Sequence, residues 1–226
     1  MTRLAIVVSI SMALMAAASG QAPQTPQTPQ GVSRTVLVDN ATVLVARLRY
    51  EAGKGETSHT HPFSAVVLQI TSGIVNMTIG PDNLNARRDA GAAWFIPQNM
   101  PHYVMNAGTD TFEQIAITIK PTRTPPPAAP PPAAVPGITR TTVIDNRDTR
   151  VIRVQFAPGA REPLHAHPYD LLTVQLTPGG VESLSGSEKT TAERTPGFVQ
   201  FVPRGVQHAF ASADKKPFEV ASVTIK

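Results

Sequence analysis

Apolar and polar residues alternate along this chain in short runs, with the period of β-strands. VLVARLRY (Val43 to Tyr50) puts Leu44, Ala46, Leu48 and Tyr50 on one face and Arg47 and Arg49 on the other. In the second half, Ile152, Val154 and Phe156 alternate with Arg153 and Gln155 in the same way. The stretches FEQIAITIK and FEVASVTIK alternate likewise. Gly, Pro, Asn and Asp punctuate these runs at intervals of about ten residues, and no helical spacing is sustained. Many short, evenly spaced strands predict an all-β protein of sandwich or barrel type.

The pattern occurs twice. Sliding the second half back by 106 positions lays TTVIDN (Thr141 to Asn146) on TVLVDN (Thr35 to Asn40), and the final TIK (Thr224 to Lys226) on Thr118 to Lys120. Gly53, Gly73, Gly91 and Pro97 fall on Gly159, Gly179, Gly197 and Pro203 without a gap. Two unrelated stretches would not keep one register from end to end, so the chain is a tandem duplication. Two proline-rich tracts separate the copies from what precedes and joins them, and neither can bury a core. The expected organisation is a signal peptide over 1–20, a Pro/Gln-rich tether over 21–33, one barrel over 34–120, a Pro/Ala-rich linker over 121–137 and a second barrel over 138–226.

The last strand of each copy is apolar on both faces. Ile115, Ile117 and Ile119 share one side, and Phe112, Gln114, Ala116 and Thr118 the other; Ala221, Val223 and Ile225 repeat the first set. Such a strand needs cover from its own barrel and from a neighbour. The other copy is the nearest neighbour, which predicts an intramolecular pseudo-dimer.

Composition changes the picture little. Of 226 residues 41% are hydrophobic and 16% charged, with a net charge of +4 and no block of Lys or Arg, so no nucleic-acid partner is expected. The absence of cysteine excludes disulfides, cysteine-ligated zinc and a thiol nucleophile. MTRLAIVVSISMALMAAASGQ has one arginine, an apolar core and a small-residue cluster, the pattern of a secretory signal peptide. Ala16-x-Ala18 or Ala18-x-Gly20 could precede the cut. The expected location is therefore periplasmic or secreted, with no stable membrane insertion after cleavage. There is no Ser-His-Asp set, phosphate loop or carboxylate pair to support acyl transfer, phosphoryl transfer or glycoside hydrolysis.

The histidines carry the chemistry. The chain has six, and all obey the repeat: His59, His61 and His102 match His165, His167 and His208. Residues i and i+2 of a strand point the same way, so His59 and His61 form a pair that a third imidazole from a distant strand, His102, can complete. Three neutral imidazoles suit a divalent transition metal (iron, zinc, copper, nickel or manganese), up to one per copy. Gln69 and Gln175 have the parity to face the same interior; each could contact a ligand, orient a histidine, or be satisfied by backbone. Arg47/Arg153 and Glu113/Glu219 are expected to form cross-strand ion pairs, and Asp39-Asn40 and Asp145-Asn146 to make turns. Trp94 is replaced by Gln200 and Met105 by Ala211, so the two interiors need not accept the same molecule.

Both copies resemble cupins. The first cupin motif is matched by Gly53, His59-x-His61 and Gly73, and by Gly159, His165-x-His167 and Gly179. The second is matched by Gly91, Pro97-x-Asn99, His102 and Asn106, and by Gly197, Pro203-x-Gly205, His208 and Ser212. The resemblance implies a jelly-roll barrel per copy and an exported bicupin overall. One departure stands out. Cupins commonly place a ligand glutamate four or five residues after the second histidine, where this chain has Ala65 and Val66, and Leu171 and Leu172. The nearest carboxylate there, Asp170, is one residue early, and a turn-stabilising role is expected of it. The loss counts against a manganese oxidase of the germin type. Three-histidine iron sites occur in cupin dioxygenases, so the resemblance implies a metal-dependent dioxygenase acting on a small organic molecule. A non-catalytic periplasmic binder of a small molecule or metal is the alternative.

Overall fold

The computed structural model describes residues 29–121, 133–214 and 216–226. The expected signal peptide, most of the tether and residues 122–132 of the linker lie outside these. Sixteen strands and no helix fill the described residues. The first copy contains β1 (Val32–Asp39), β2 (Val43–Tyr50), β3 (Ala65–Gln69), β4 (Gly73–Ile79), β5 (Asp82–Arg88), β6 (Ala93–Ile96), β7 (His102–Asn106) and β8 (Phe112–Ile119). The second contains β9 (Ile138–Asp145), β10 (Thr149–Phe156), β11 (Asp170–Gln175), β12 (Gly179–Ser185), β13 (Glu188–Arg194), β14 (Val199–Val202), β15 (His208–Ser212) and β16 (Phe218–Ile225).

Each copy is a two-sheet antiparallel barrel. A five-stranded sheet ordered β1-β2-β8-β3-β6 faces a three-stranded sheet ordered β5-β4-β7. The second copy repeats this as β9-β10-β16-β11-β14 and β13-β12-β15. The expected tandem of small antiparallel barrels is what the chain forms. The first turn of each barrel is an Asx turn: Asn40 Oδ1 accepts the Thr42 and Val43 amides at 2.9 Å, and Asn146 Oδ1 those of Asp148 and Thr149 at 2.9 and 3.0 Å.

Alternation assigns each strand residue to one of three cores. Ala46, Leu48, Tyr50, Ala65, Val67 and Phe112 fill the first barrel together with Val75, Met77 and Trp94. Val154, Phe156, Val181, Phe210 and Phe218 line the second. The third core belongs to neither barrel alone. Val43, Val45, Val66, Leu68, Ile115 and Ile117 pack with Val151, Leu172, Val174, Ala221 and Val223. The outer faces of the two five-stranded sheets are thus buried against each other, as the two-faced apolar pattern of β8 and β16 predicts. Strands β3 and β11 sit between an interior and this shared core, and all five residues of β3 are buried.

Ion pairs within each copy line the same interface reciprocally. Arg47 is paired with Glu113 at 3.5 Å, and Arg153 holds both carboxylate oxygens of Glu219. Each arginine also lies against a glycine of the other copy. Gly197 and Gly91 have φ of +82° and +84°, and a methyl group added to them would sit 2.6 Å from Arg47 Nη2 and 3.3 Å from Arg153 Cζ. The left-handed backbone requires glycine there, and the arginine tip fills the space beside it. Ser64 donates to Asp148 Oδ2 across the interface at 2.8 Å.

A shared core means shared stability. Ile117→Ala and Leu172→Ala each remove a fully buried side chain from it and should each cost about 2–5 kcal/mol. Calorimetry should show one unfolding transition for both barrels, and either variant should move the whole of it.

Candidate metal centres

Each HxH segment lies not in a strand, as the i/i+2 reading expects, but in the loop between β2 and β3 or between β10 and β11. There its first histidine makes a single bridge to the start of the strand that carries the third. His59 N–H donates to the His102 carbonyl and His102 N–H to that of His59, both at 3.0 Å; His165 and His208 repeat the exchange at 3.0 and 2.8 Å. The middle of the segment is held by the Pro-x-Asn and Pro-x-Gly turns. Asn99 and Gly205, at φ +57° and +74°, donate their amides to the carbonyls of His61 and His167 at 2.7 and 2.8 Å. Asparagine and glycine are the residues that adopt this left-handed backbone at least cost.

The three side chains of each triad converge. His59 Nε2 is 3.0 Å from His61 Nε2, and His165 Nε2 is 3.1 Å from His167 Nε2. Within each triad the nitrogens available to a ligand lie within 4.8 Å of one another. The tautomers are set from behind. Nδ1–H of His59 donates to Thr57 O and that of His102 to Met100 O, both at 2.8 Å; His165 and His208 donate to Pro163 O and Val206 O at 2.8 and 3.2 Å. Four of the six imidazoles therefore present a bare Nε2 inward, as metal-ligating histidines do. Two imidazole nitrogens bound at right angles to one ion with bonds of roughly 2.1 Å would stand about 3.0 Å apart. The residues present fit a divalent transition metal.

Electrostatics favour the neutral form of His61, His102, His167 and His208. Burial pushes His61 and His167 down to about 4, helped by the neighbouring imidazoles and by Arg34 and Arg140. Burial lowers His102 and His208 as well, against the opposing pull of the carbonyls they face. A neutral imidazole is the form that ligates.

Two charged residues beside each triad escaped the sequence reading. Glu56 and Glu162 lie three residues before the HxH segments, and Arg34 and Arg140 lie on β1 and β9. Both pairs obey the 106-residue repeat, the signal that could have found them. Arg140 Nη2 donates to Glu162 Oε1 at 2.8 Å, and both line the cavity of the second barrel. Burial raises the Glu56 carboxyl, while His59, Tyr50 and Arg34 pull it back. The cavity measures about 240 Å³ and is lined by His165, His167 and His208. The interiors are filled differently: Met77, Trp94 and Leu84 of the first stand where the second has Ser183, Gln200 and Thr190, and Ala46, Ala65 and Val104 where it has Ile152, Leu171 and Phe210.

Other expected residues take structural places. Gln69 and Gln175 face inward as their parity requires, but their amides donate to the Thr71 and Thr177 carbonyls at 2.7 and 2.8 Å. Gln114 donates to Gln69 Oε1 at 3.0 Å. Asp170 Oδ1 accepts the Arg204 amide at 2.8 Å, a turn contact. At the positions where a glutamate ligand is missing, Ala65 and Leu171 face the barrel interiors, and Val66 and Leu172 enter the shared core.

Known proteins share this architecture. The Cupin 2 conserved barrel domain protein from Leptotrichia buccalis superposes with a TM-score of 0.62 at 13% identity, covering 89% of this chain and 92% of that one. The fold is that of the cupins. Salicylate 1,2-dioxygenase from Pseudaminobacter salicylatoxidans has the same fold, at TM-score 0.69 and 11% identity over 85% of this chain and 76% of that one. In sequence, the β-alanine degradation protein BauB of Pseudomonas aeruginosa is 33% identical over 86 residues, 38% of this chain and 90% of BauB. The chain belongs to BauB's family over that stretch, which is one cupin barrel in length. No protein-family model matches it.

The lowered histidines make the metal-free protein acid-sensitive. Between about 6.5 and about 4, the unfolded chain protonates His61 and His167 while the folded chain does not. Stability should therefore fall as pH drops through that window and be fully present above it. Urea unfolding of chelated protein at pH 7 and pH 5 measures the loss, which His61→Asn/His167→Asn should reduce.

Proposed function

We propose that this protein is an exported, metal-dependent cupin enzyme of dioxygenase type, acting on a small organic molecule at a three-histidine centre. The observation that carries the reading is the duplicated triad, whose Nε2 atoms converge on one point in each barrel. A salicylate 1,2-dioxygenase of the same fold supports the reaction class. The export reading rests on the apolar and small residues of 1–20.

Bound to three neutral nitrogens, a divalent ion would keep its full charge and act as a Lewis acid toward substrate oxygens. The chain's own residues supply the rest. The Nδ1–H contacts hold the histidines in the ligating tautomer. Glu162, fixed by Arg140, is placed to take a proton from a substrate hydroxyl and return it. The apolar lining of Val154, Phe156, Leu171 and Phe210 excludes bulk water from the centre.

Metal analysis of the full chain should find up to two divalent ions, and His61→Ala and His167→Ala should each remove one. Iron-loaded protein should consume oxygen with at least one member of a panel of phenolics, diketones and thiol acids. Glu162→Gln should slow that turnover by about 10²-fold or more at unchanged metal content. Metal bound with no turnover, together with tight retention of a panel compound, would instead mark a periplasmic binding protein.

A further inference from the structure

The two interiors are copies with unequal linings. Arg150, Tyr169, Thr173 and Ser222 line the cavity of the second barrel. The equivalent residues of the first are Leu44, Phe63, Val67 and Ala116, all apolar. Two positions differ the other way, Phe156 and Val220 standing for Tyr50 and Gln114, but the only charge added on either side is Arg150.

Charge sharpens the difference. Around the first interior, Arg34 and Lys120 are matched by Glu56, beside Arg34, and by Asp39, which pairs with Lys120. Around the second, Arg140 pairs with Glu162, and Lys226 with Asp145. Arg150 is then added to this balanced set, and it shares Asp145 with Lys226, its Nε and Nη2 lying 3.0 and 2.8 Å from Asp145 Oδ2. Three cations and two carboxylates leave one positive charge in excess, before any metal is bound.

Size and lining complete the description. A cavity of about 240 Å³ is smaller than the roughly 300–1,000 Å³ pockets that hold drug-sized ligands. Much of its remaining wall is apolar: Ile152, Val154, Phe156, Leu171 and Phe210. We infer that the carboxyl-terminal barrel is the substrate-binding half, and that it takes a small organic monoanion, a carboxylate on a compact apolar body, with Arg150 selecting the charge. A guanidinium matches a carboxylate with two parallel hydrogen bonds, a geometry that Lys226 does not supply, and the other guanidinium of the cavity, Arg140, is held by Glu162. The inference deepens the reading under Proposed function, because the cavity is the one into which His165, His167 and His208 point.

The test is calorimetric titration of the full chain with benzoate and with benzamide, its neutral isostere, on samples whose metal content is measured. Benzoate should bind about tenfold or more tighter than benzamide. Arg150→Leu should abolish that preference, and Arg150→Lys should keep part of it. Leucine is the residue the first barrel carries at this place, so the fold accommodates it, and thermal unfolding of the variant verifies this. Arg87→Leu, which removes the same charge from an exposed pair with Asp89, should leave the preference intact. No measurable benzoate binding, equal binding of the two probes, or a preference that survives Arg150→Leu would overturn the inference. Protein that binds no metal yet shows the Arg150-dependent preference would overturn the metal-centred function while sustaining this one.

Discussion

The buried contact between the two five-stranded sheets is the constraint on which the rest of the molecule depends. Both sheets carry an outer face of Val, Ile and Leu that water cannot cover, and each is the cover of the other. That demand reaches the metal centres through β3 and β11, where alternate residues face a barrel interior and the shared core. Val66 and Leu172 belong to the core, so a carboxylate at either would be an unpaired charge in the driest part of the protein. Only Ala65 and Leu171 remain free to face the histidines, and both are apolar. The charge near each triad comes instead from Glu56 and Glu162, on the loop before the HxH segment, with Arg34 and Arg140 from the edge strands.

The interface also explains why polar residues recur in both copies without any role in chemistry. Arg47 and Arg153 pair with Glu113 and Glu219 on the neighbouring strand of their own sheet and lie against Gly197 and Gly91 of the opposite copy. A glycine in the second cupin motif is usually read as a turn requirement alone. Here it also leaves room for the other copy's arginine.

Much of this was legible in the sequence because duplication acts as an internal control. Strand alternation gave the barrels, the two-faced pattern of β8 and β16 gave the contact between them, and repetition singled out the histidines. Gln69 and Gln175 were read with the right parity, but parity does not say what a side chain touches; the nearest acceptors are the carbonyls of Thr71 and Thr177. Glu56/Glu162 and Arg34/Arg140 were missed although they repeat as strictly as the histidines. They lie upstream of HxH, whereas the ligand glutamate of cupins lies downstream of it. Contacts such as Ser64 to Asp148 were beyond reach, because residues 84 apart meet only through the mutual orientation of two barrels.

Covalent connection of the barrels has a consequence for what the protein could become. In a dimer of identical single barrels, one gene position writes both pockets, so an arginine gained in one appears in the other, and a tryptophan that fills one fills both. Joining the halves in one chain makes their association unimolecular and independent of dilution. It also gives each pocket its own codons. Leu44 and Arg150, or Trp94 and Gln200, could then drift apart while the shared core held both halves to one fold. One barrel could specialise while the other was retained as its structural partner.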